Sequence, residues 1–137
     1  MNKKILITGG AGFIGLHLAR RLIDEGYQVD LFDNFARAVD DKELKEILAH
    51  DKINFFNVDL LSHTQINKFN TDYDVIFHLA AIIGVTHVME NPYDVLYQNI
   101  SMLGNMIDFA HRQKKLKRFL FASTSEVYAG ALKHFDL

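Results

Sequence analysis

The chain has 137 residues, no cysteine, a single proline and a formal net charge of −2, and 49% of its residues are hydrophobic. That length allows one domain with a real core, since a domain near this size buries roughly two-thirds of its unfolded surface. The missing thiols exclude a disulfide framework and a thiolate metal site, and the near-neutral charge argues against a nucleic-acid partner. No apolar run approaches a membrane span and the N-terminus lacks a signal peptide's hydrophobic core, so a soluble, cytoplasmic protein is expected. The seven histidines show no pairing at metal-ligand spacing, and no metal is expected.

Residues 3–8, Lys-Lys-Ile-Leu-Ile-Thr, form a short, β-branched run that is apolar on both alternations, the pattern of a parallel strand buried on both faces. Glycines follow at once. Thr8 to Gly15 reads Thr-Gly-Gly-Ala-Gly-Phe-Ile-Gly, in which Gly10, Gly12 and Gly15 fit G-x-G-x-x-G, while a start at Thr8-Gly9 fits T-G-x-x-G-x-x-G. Such a turn lets backbone N–H groups approach a pyrophosphate, which the positive end of the following helix stabilises. Three features of context support this reading. A strand precedes the turn, and a helical stripe of Ile14, Leu18 and Leu22 follows, with Gly15 and Ala19 beside it and Gly26 placed to end it. A second strand, residues 27–32, then ends in Asp33, about twenty residues past the glycines, where a carboxylate can bind both ribose hydroxyls.

Asn34 to Arg37 reads as loop, and residues 41–49 as a short surface helix with Leu44, Ile47 and Leu48 at helical spacing. An arginine near the ribose can accommodate a 2′-phosphate, but Asp33 would repel that group, so NAD is expected rather than NADP. Residues 53–58 form the third strand. Asp59 and Leu60 follow at its carboxyl end, where open parallel sheets place their ligands, and Asp59 fits either an adenine contact or a cap before the helix that Ser62 and Gln65 announce as a capping box.

Residues 74–79 form the fourth strand, and the small Ala80 and Ala81 after it leave room for a flat ligand. His78 within that strand is expected to be buried and hydrogen-bonded rather than catalytic. Residues 82–90 read as loop or a short helical turn. A long helix then opens with Asn91 as N-cap and Pro92 at its first position. Its stripe is Val95, Met102, Leu103, Met106, Ile107 and Ala110, and Asn99 falls on it, where a polar residue needs a partner in the core or in a loop beside the ligand. The cluster Arg112, Lys114, Lys115, Lys117 and Arg118 is read as solvated charge at the helix end. Residues 117–122 form the fifth strand, and Ser123, Thr124, Ser125 and Glu126 follow at the ligand edge. Alternating strands and helices with right-handed crossovers predict a three-layer α/β fold of the Rossmann type over residues 1–137, with a parallel sheet in order 3-2-1-4-5.

Taken together, the glycine turn, Phe32-Asp33-Asn34, Val58-Asp59-Leu60, His78-Leu79-Ala80-Ala81, Asn99 and Ser123-Thr124-Ser125-Glu126-Val127-Tyr128 resemble the extended short-chain dehydrogenase/reductases that act on nucleotide sugars: epimerases, dehydratases and decarboxylases. The resemblance covers the whole chain. It implies that Gly9, Gly12 and Gly15 with Phe13 and Ile14 bind the pyrophosphate of NAD, that Asp33 and Asn34 hold the adenosine ribose, and that Asp59 and Leu60 flank adenine. Leu79, Ala80 and Ala81 would line the nicotinamide side, with Asn99 supporting them. Thr124 matches the catalytic Ser/Thr of the family, which hydrogen-bonds the sugar hydroxyl being oxidised, and Ser123 is the alternative alignment for that role. Ser125 and Glu126 complete a string most similar to the decarboxylases, where a glutamate at the position of Glu126 assists chemistry after oxidation. The implied reaction passes a hydride from sugar C4 to NAD and gives a keto intermediate that epimerises, loses water or loses carbon dioxide.

The family's base is the tyrosine of Tyr-x-x-x-Lys, with its pKa lowered by the lysine. None of the five tyrosines here is followed four residues later by lysine. The chain is therefore expected to be the N-terminal, cofactor-binding portion of a longer, homodimeric enzyme, inactive alone and prone to associate through the fifth strand's edge. The other reading is a non-catalytic NAD-binding module.

Overall fold

A computed structural model describes residues 3–37, 42–69 and 72–124. Along the chain come β1 (Lys4–Thr8), α1 (Phe13–Asp24), β2 (Gln28–Asp33), α2 (Lys42–Leu48), β3 (Ile53–Asn57), α3 (His63–Ile66), β4 (Val75–His78), α4 (Val85–Glu90), α5 (Pro92–His111) and β5 (Arg118–Phe121). The strands pair in parallel in the order β3-β2-β1-β4-β5, as the alternation of strand and helix predicts. Registers such as Thr8 with Phe32 and with His78 align the carboxyl ends of β1, β2 and β4. The chain passes from β1 outward to β3 and then crosses back to β4, so the ligand crevice of such a sheet opens at the end of β1.

Both faces of the sheet are apolar, and each is covered. Ile5, Ile7, Val29 and Leu31 pack with Leu16, Ala19, Leu22, Ile23, Leu44 and Ile47 from α1 and α2. Leu6, Phe32 and Ile76, on the other alternation, pack with Ile66 of α3 and Met102, Met106 and Phe109 of α5. Phe109, fully buried against Phe32 and Tyr73, contributes about 1.5–3 kcal/mol by burial.

Four local expectations are corrected. In α1 the buried face is Gly15, Leu16, Ala19, Leu22 and Ile23, whereas Ile14 is 68% exposed. Gly15 must face the glycine turn, and that contact sets the rotation of the helix. In α5 the buried residues are Val95, Met102, Met106 and Phe109, while Ile107 lies outside and 41% exposed. Asn91 is the N-cap residue and Pro92 holds the first helical position, but the asparagine side chain makes no cap bond. Ser62 Oγ accepts from the Gln65 N–H, yet Gln65 does not return to Ser62; its Oε1 accepts from the Asp59 N–H at 3.0 Å and ties the end of β3 to α3.

One buried group was not singled out from the sequence. Asp30, fully buried in β2, accepts from Tyr73 Oη at 2.7 Å and Asn54 Nδ2 at 2.8 Å, and pairs with Lys4 Nζ at 2.9 Å. A carboxylate in such a place needs this full set of partners. Nearby, Asp74 takes the Lys4 N–H and the Lys117 ammonium, which hold its carboxyl below the usual range. No described helix is long and apolar enough to cross a membrane.

Candidate functional site

The glycine turn is fixed from below and left open above. The N–H groups of Gly9 and Gly10 donate to the Phe32 carbonyl at 2.8 and 3.4 Å, and that of Gly12 donates to the Gly9 carbonyl. Gly9 has a φ of +68°, and a Cβ there would lie 2.9 Å from the Ala80 nitrogen. At Gly15 a Cβ would lie 2.4 Å from the Gly9 oxygen and 2.8 Å from the Gly10 Cα. Only hydrogen atoms let α1 seat against the turn and the turn against residues 79–80. Gly12, the N-cap of α1, offers no side-chain cap. Among the described residues the N–H groups of Phe13, Ile14 and Gly15 therefore have neither intrahelical nor capping partners, the arrangement that receives an anion. Phe13 and Ile14 project their side chains outward, so what they offer such a ligand is backbone.

Asp33, at the end of β2, joins this turn to the next loop. Its Oδ2 accepts from the Ala11 N–H at 3.0 Å and its Oδ1 from the Phe35 N–H at 2.8 Å. Each oxygen keeps lone-pair capacity for a ligand hydroxyl, because a carboxylate can accept about four bonds. Asn34 Oδ1 accepts from the Ala36 N–H at 3.0 Å, and Phe35, at φ 58°, rests on the Phe55 ring. The Arg37 guanidinium reaches across the crevice to the Ile83 carbonyl, so it is already engaged on the opposite loop.

At the end of β3, Asp59 Oδ1 accepts from the Leu61 N–H at 2.9 Å, a local turn before α3 rather than a cap of it, since Ser62 is the N-cap, and the half-buried carboxylate stays at the carboxyl edge of the sheet. Leu60 is buried, and its carbonyl accepts from Asn105 Nδ2 at 2.8 Å. Beyond β4 the Leu79 N–H donates to the Thr8 carbonyl at 3.2 Å and the Ala80 N–H to Thr8 Oγ1 at 3.2 Å. Ala81 is exposed beside them. Asn99 takes the loop role: its Oδ1 accepts from the Ile82 N–H at 2.8 Å and its Nδ2 donates to the Ile82 carbonyl at 3.0 Å.

His78 is 2% exposed, with Nδ1 standing 2.7 Å from Thr8 Oγ1, as the expectation of a buried, bonded histidine requires. Burial lowers its pKa to about 4, so the ring is neutral. Thr8, the end of the strand and the first letter of the T-G-x-x-G-x-x-G reading, has a fully buried hydroxyl, and a role for that side chain was not among the sequence expectations; its one sequence signal is a hydroxyl residue closing an apolar run. Ser123 and Thr124 lie exposed after β5, and the Ala122 N–H between them and the strand donates to the His78 carbonyl at 3.1 Å. Ser125 and Glu126 lie outside the described residues. The structure thus brings the glycine turn, Asp33, Asn34, Asp59, residues 79–81 and Ser123–Thr124 to the carboxyl ends of the five strands, with Asn99 behind.

A sequence profile described as the NAD dependent epimerase/dehydratase family matches residues 5–135. The chain is 39% identical over 136 residues to a UDP-N-acetyl-alpha-D-glucosaminuronate decarboxylase of Bacillus cytotoxicus, covering 99% of this chain and 41% of that protein. Among solved structures, the UDP-Glc/GlcNAc 4-epimerase of Campylobacter jejuni is similar with a TM-score of 0.83 and 29% identity over 93% of this chain and 39% of the other. The Bordetella bronchiseptica enzyme WbmF, in complex with NAD+ and UDP, gives a TM-score of 0.76 and 25% identity over 88% of this chain and 35% of the other. The chain spans about two-fifths of the length of that curated relative.

Proposed function

The chain belongs to the NAD dependent epimerase/dehydratase family, and from that premise we propose that it supplies the cofactor-binding part of an NAD-dependent enzyme acting on a nucleotide sugar. The observation that carries the reading is the glycine turn with an uncapped helix N-terminus on one side and the Asp33 carboxylate on the other. The donor set suits a dinucleotide: N–H groups of Phe13, Ile14 and Gly15 for the pyrophosphate, and Asp33 with Asn34 for the adenosine ribose. Asp59 and Leu60 bound the adenine side, and Leu79, Ala80 and Ala81 the nicotinamide side. Asn99 keeps that wall in place through Ile82. The engagement of Arg37 on Ile83 supports NAD over NADP, because the guanidinium is occupied away from the ribose.

Bound NAD supplies a hydride acceptor for C4 of the sugar. Ser123 and Thr124 stand at the edge where that sugar must lie, and Thr124 is assigned the hydrogen bond to the C4 hydroxyl. Glu126 is assigned to the step after oxidation, with Ser125 beside it in the catalytic string, and of the three outcomes decarboxylation is favoured by the likeness to the Bacillus cytotoxicus decarboxylase. The base is assigned to a Tyr-x-x-x-Lys segment, which these 137 residues do not contain. A cytoplasmic homodimer fits the chain, since Tyr93, Leu96, Tyr97 and Ile100 form an exposed apolar stripe on α5, more than an isolated surface helix ordinarily shows.

The test is an assay of the protein that carries this chain, extended through its Tyr-x-x-x-Lys segment, against UDP-, GDP-, CDP- and dTDP-sugars, uronic acid forms included, with products read by mass spectrometry. Loss of carbon dioxide from a nucleotide uronic acid is expected. No conversion of any nucleotide sugar would leave a non-catalytic NAD-binding module as the better reading.

A further inference from the structure

The buried hydroxyl–imidazole pair under the glycine turn has a proton arrangement that can be worked out from its partners. Thr8 Oγ1 carries one hydrogen and two lone pairs. At 3.2 Å it faces the Ala80 N–H, which can only donate, so the hydroxyl accepts there. At 2.7 Å it faces His78 Nδ1. If Nδ1 carried the ring proton, the buried Thr8 hydroxyl would accept twice and its own hydrogen would be left with no acceptor among the contacts of this fully buried side chain. The economical arrangement puts the Thr8 hydrogen on Nδ1 and the ring proton on Nε2.

We propose that His78, as the Nε2–H tautomer, is a positioning residue that sets the Thr8 hydroxyl to receive the Ala80 N–H and so fixes the nicotinamide wall against the glycine turn. Further contacts tie this wall and the His78 ring to their neighbours. Thr8 also receives the Leu79 N–H on its carbonyl, so one residue of β1 holds two successive amides past the end of β4. Gly9 lies against the same Leu79–Ala80 peptide, closely enough that a Cβ would come within 3.1 Å of three of its backbone atoms. The His78 ring stacks on Phe121 with centroids 5.9 Å apart and lies 6.1 Å from Phe119, which joins the pair to β5 just before Ser123 and Thr124. Loss of the Thr8 hydroxyl therefore releases Ala80 on the nicotinamide side while the glycine turn keeps its own bonds to the Phe32 carbonyl, and the imidazole acts on Ala80 through the Thr8 hydroxyl that it orients.

The inference rests on the NAD reading for its ligand and on bond geometry alone for its tautomer, and the experiment separates the two. Long-range nitrogen–proton NMR spectra of the 15N-labelled chain at neutral pH report the His78 tautomer without any ligand. Calorimetry then compares NAD with ADP-ribose, which lacks the nicotinamide, for wild type, Thr8→Val, Thr8→Ser and His78→Gln. The expected result is an Nε2–H ring, a roughly tenfold loss of NAD affinity in Thr8→Val with ADP-ribose affinity within about twofold of wild type, and retention of both in Thr8→Ser and His78→Gln, which keep the hydroxyl and a side-chain acceptor. An Nδ1–H ring, an equal loss of both ligands in Thr8→Val, or no loss of either would overturn it. Should Thr8→Val fail to fold, weakened NAD binding in a folded Thr8→Ser or a folded His78→Gln would count against it equally. A wild-type chain that binds neither ligand would overturn the NAD reading, while the tautomer would stand or fall on the spectra.

Discussion

Replacing Gly15 with alanine places one methyl group where the structure leaves no space for it. The added Cβ would sit 2.4 Å from the Gly9 oxygen, 2.8 Å from the Gly10 Cα and 3.0 Å from the Gly10 oxygen. Ordinary contacts lie near 3.5 Å, so the overlap with the Gly9 oxygen is roughly 1 Å. Every atom met is backbone, and none can turn aside, so α1 must lift from the turn or the turn must deform. Overpacking of this kind costs about 1–3 kcal/mol, and alanine returns up to about 1 kcal/mol of helix propensity. The net expectation is a loss of about 1–2 kcal/mol, or a fall in Tm of roughly 4–8 °C for a domain of this size. NAD affinity should fall by more than the stability does, at least about tenfold, because the lift carries the Phe13, Ile14 and Gly15 N–H groups away from the proposed pyrophosphate site. Gly104→Ala is the matched control: nothing lies within 4 Å of a Cβ there, and its α5 interior should gain about 0.5–1 kcal/mol with NAD binding unchanged. Differential scanning calorimetry and NAD titration of both variants check the pair. Wild-type Tm and wild-type affinity in Gly15→Ala would refute the close-packing account of the turn.

Asn99→Leu should weaken NAD binding and cost about 1–3 kcal/mol in urea denaturation, since it strips both bonds from the half-buried Ile82 peptide; unchanged stability would show that the loop holds itself. Stability should also fall with pH through His78. Its folded pKa is lowered from 6.5 to about 4, so the unfolded chain binds the extra proton as pH drops below 6.5, and the loss is complete near pH 4 at about 3 kcal/mol, most of it present by pH 4.5. Asp74, whose pKa lies below 3.8, loses its contribution only at lower pH, and the difference between wild type and His78→Phe isolates the imidazole; equal pH slopes would contradict the assignment. The 137-residue chain should convert no nucleotide sugar, because it contains no Tyr-x-x-x-Lys and a positioned general base contributes about 10² to 10⁴ in rate. It should also self-associate in light scattering through β5, the edge strand among the described residues, where Leu120 and Phe121 are 40% and 52% exposed; sugar-dependent NADH formation or a monodisperse monomer would overturn the respective expectation.

The elements of the proposed dinucleotide site were legible because their constraints are local. The glycines, the two-faced apolar strands and the carboxylate at the end of β2 each announce themselves within a few residues, and strand order follows from connection rules. Rotation of helices was less legible. Ile14 and Ile107 lie on stripes that a helical period allows, but the close seating of Gly15 on the turn and of Phe109 on Phe32 decides which face goes inward. Asn99 could be recognised as a polar residue in need of a partner, whereas the partner, 17 residues earlier in the chain, depends on how the loop after β4 folds back. Asp30 with Tyr73 and Asn54, and Thr8 with His78, join residues 24 to 70 positions apart. Neither pairing has a periodic signature, and a single buried polar letter in a strand says only that some partner exists.

The most direct test of the dinucleotide site is a calorimetric titration of NAD and NADP into the wild-type chain and Asp33→Arg. In wild type the Asp33 oxygens hold Ala11 and Phe35 and keep lone pairs for the proposed ribose contact, so saturable 1:1 binding of NAD with little affinity for NADP is expected. The arginine should weaken NAD and shift preference toward NADP, whose 2′-phosphate it can pair. No binding of either dinucleotide by wild type, or an unchanged NAD affinity in the variant, would contradict the account.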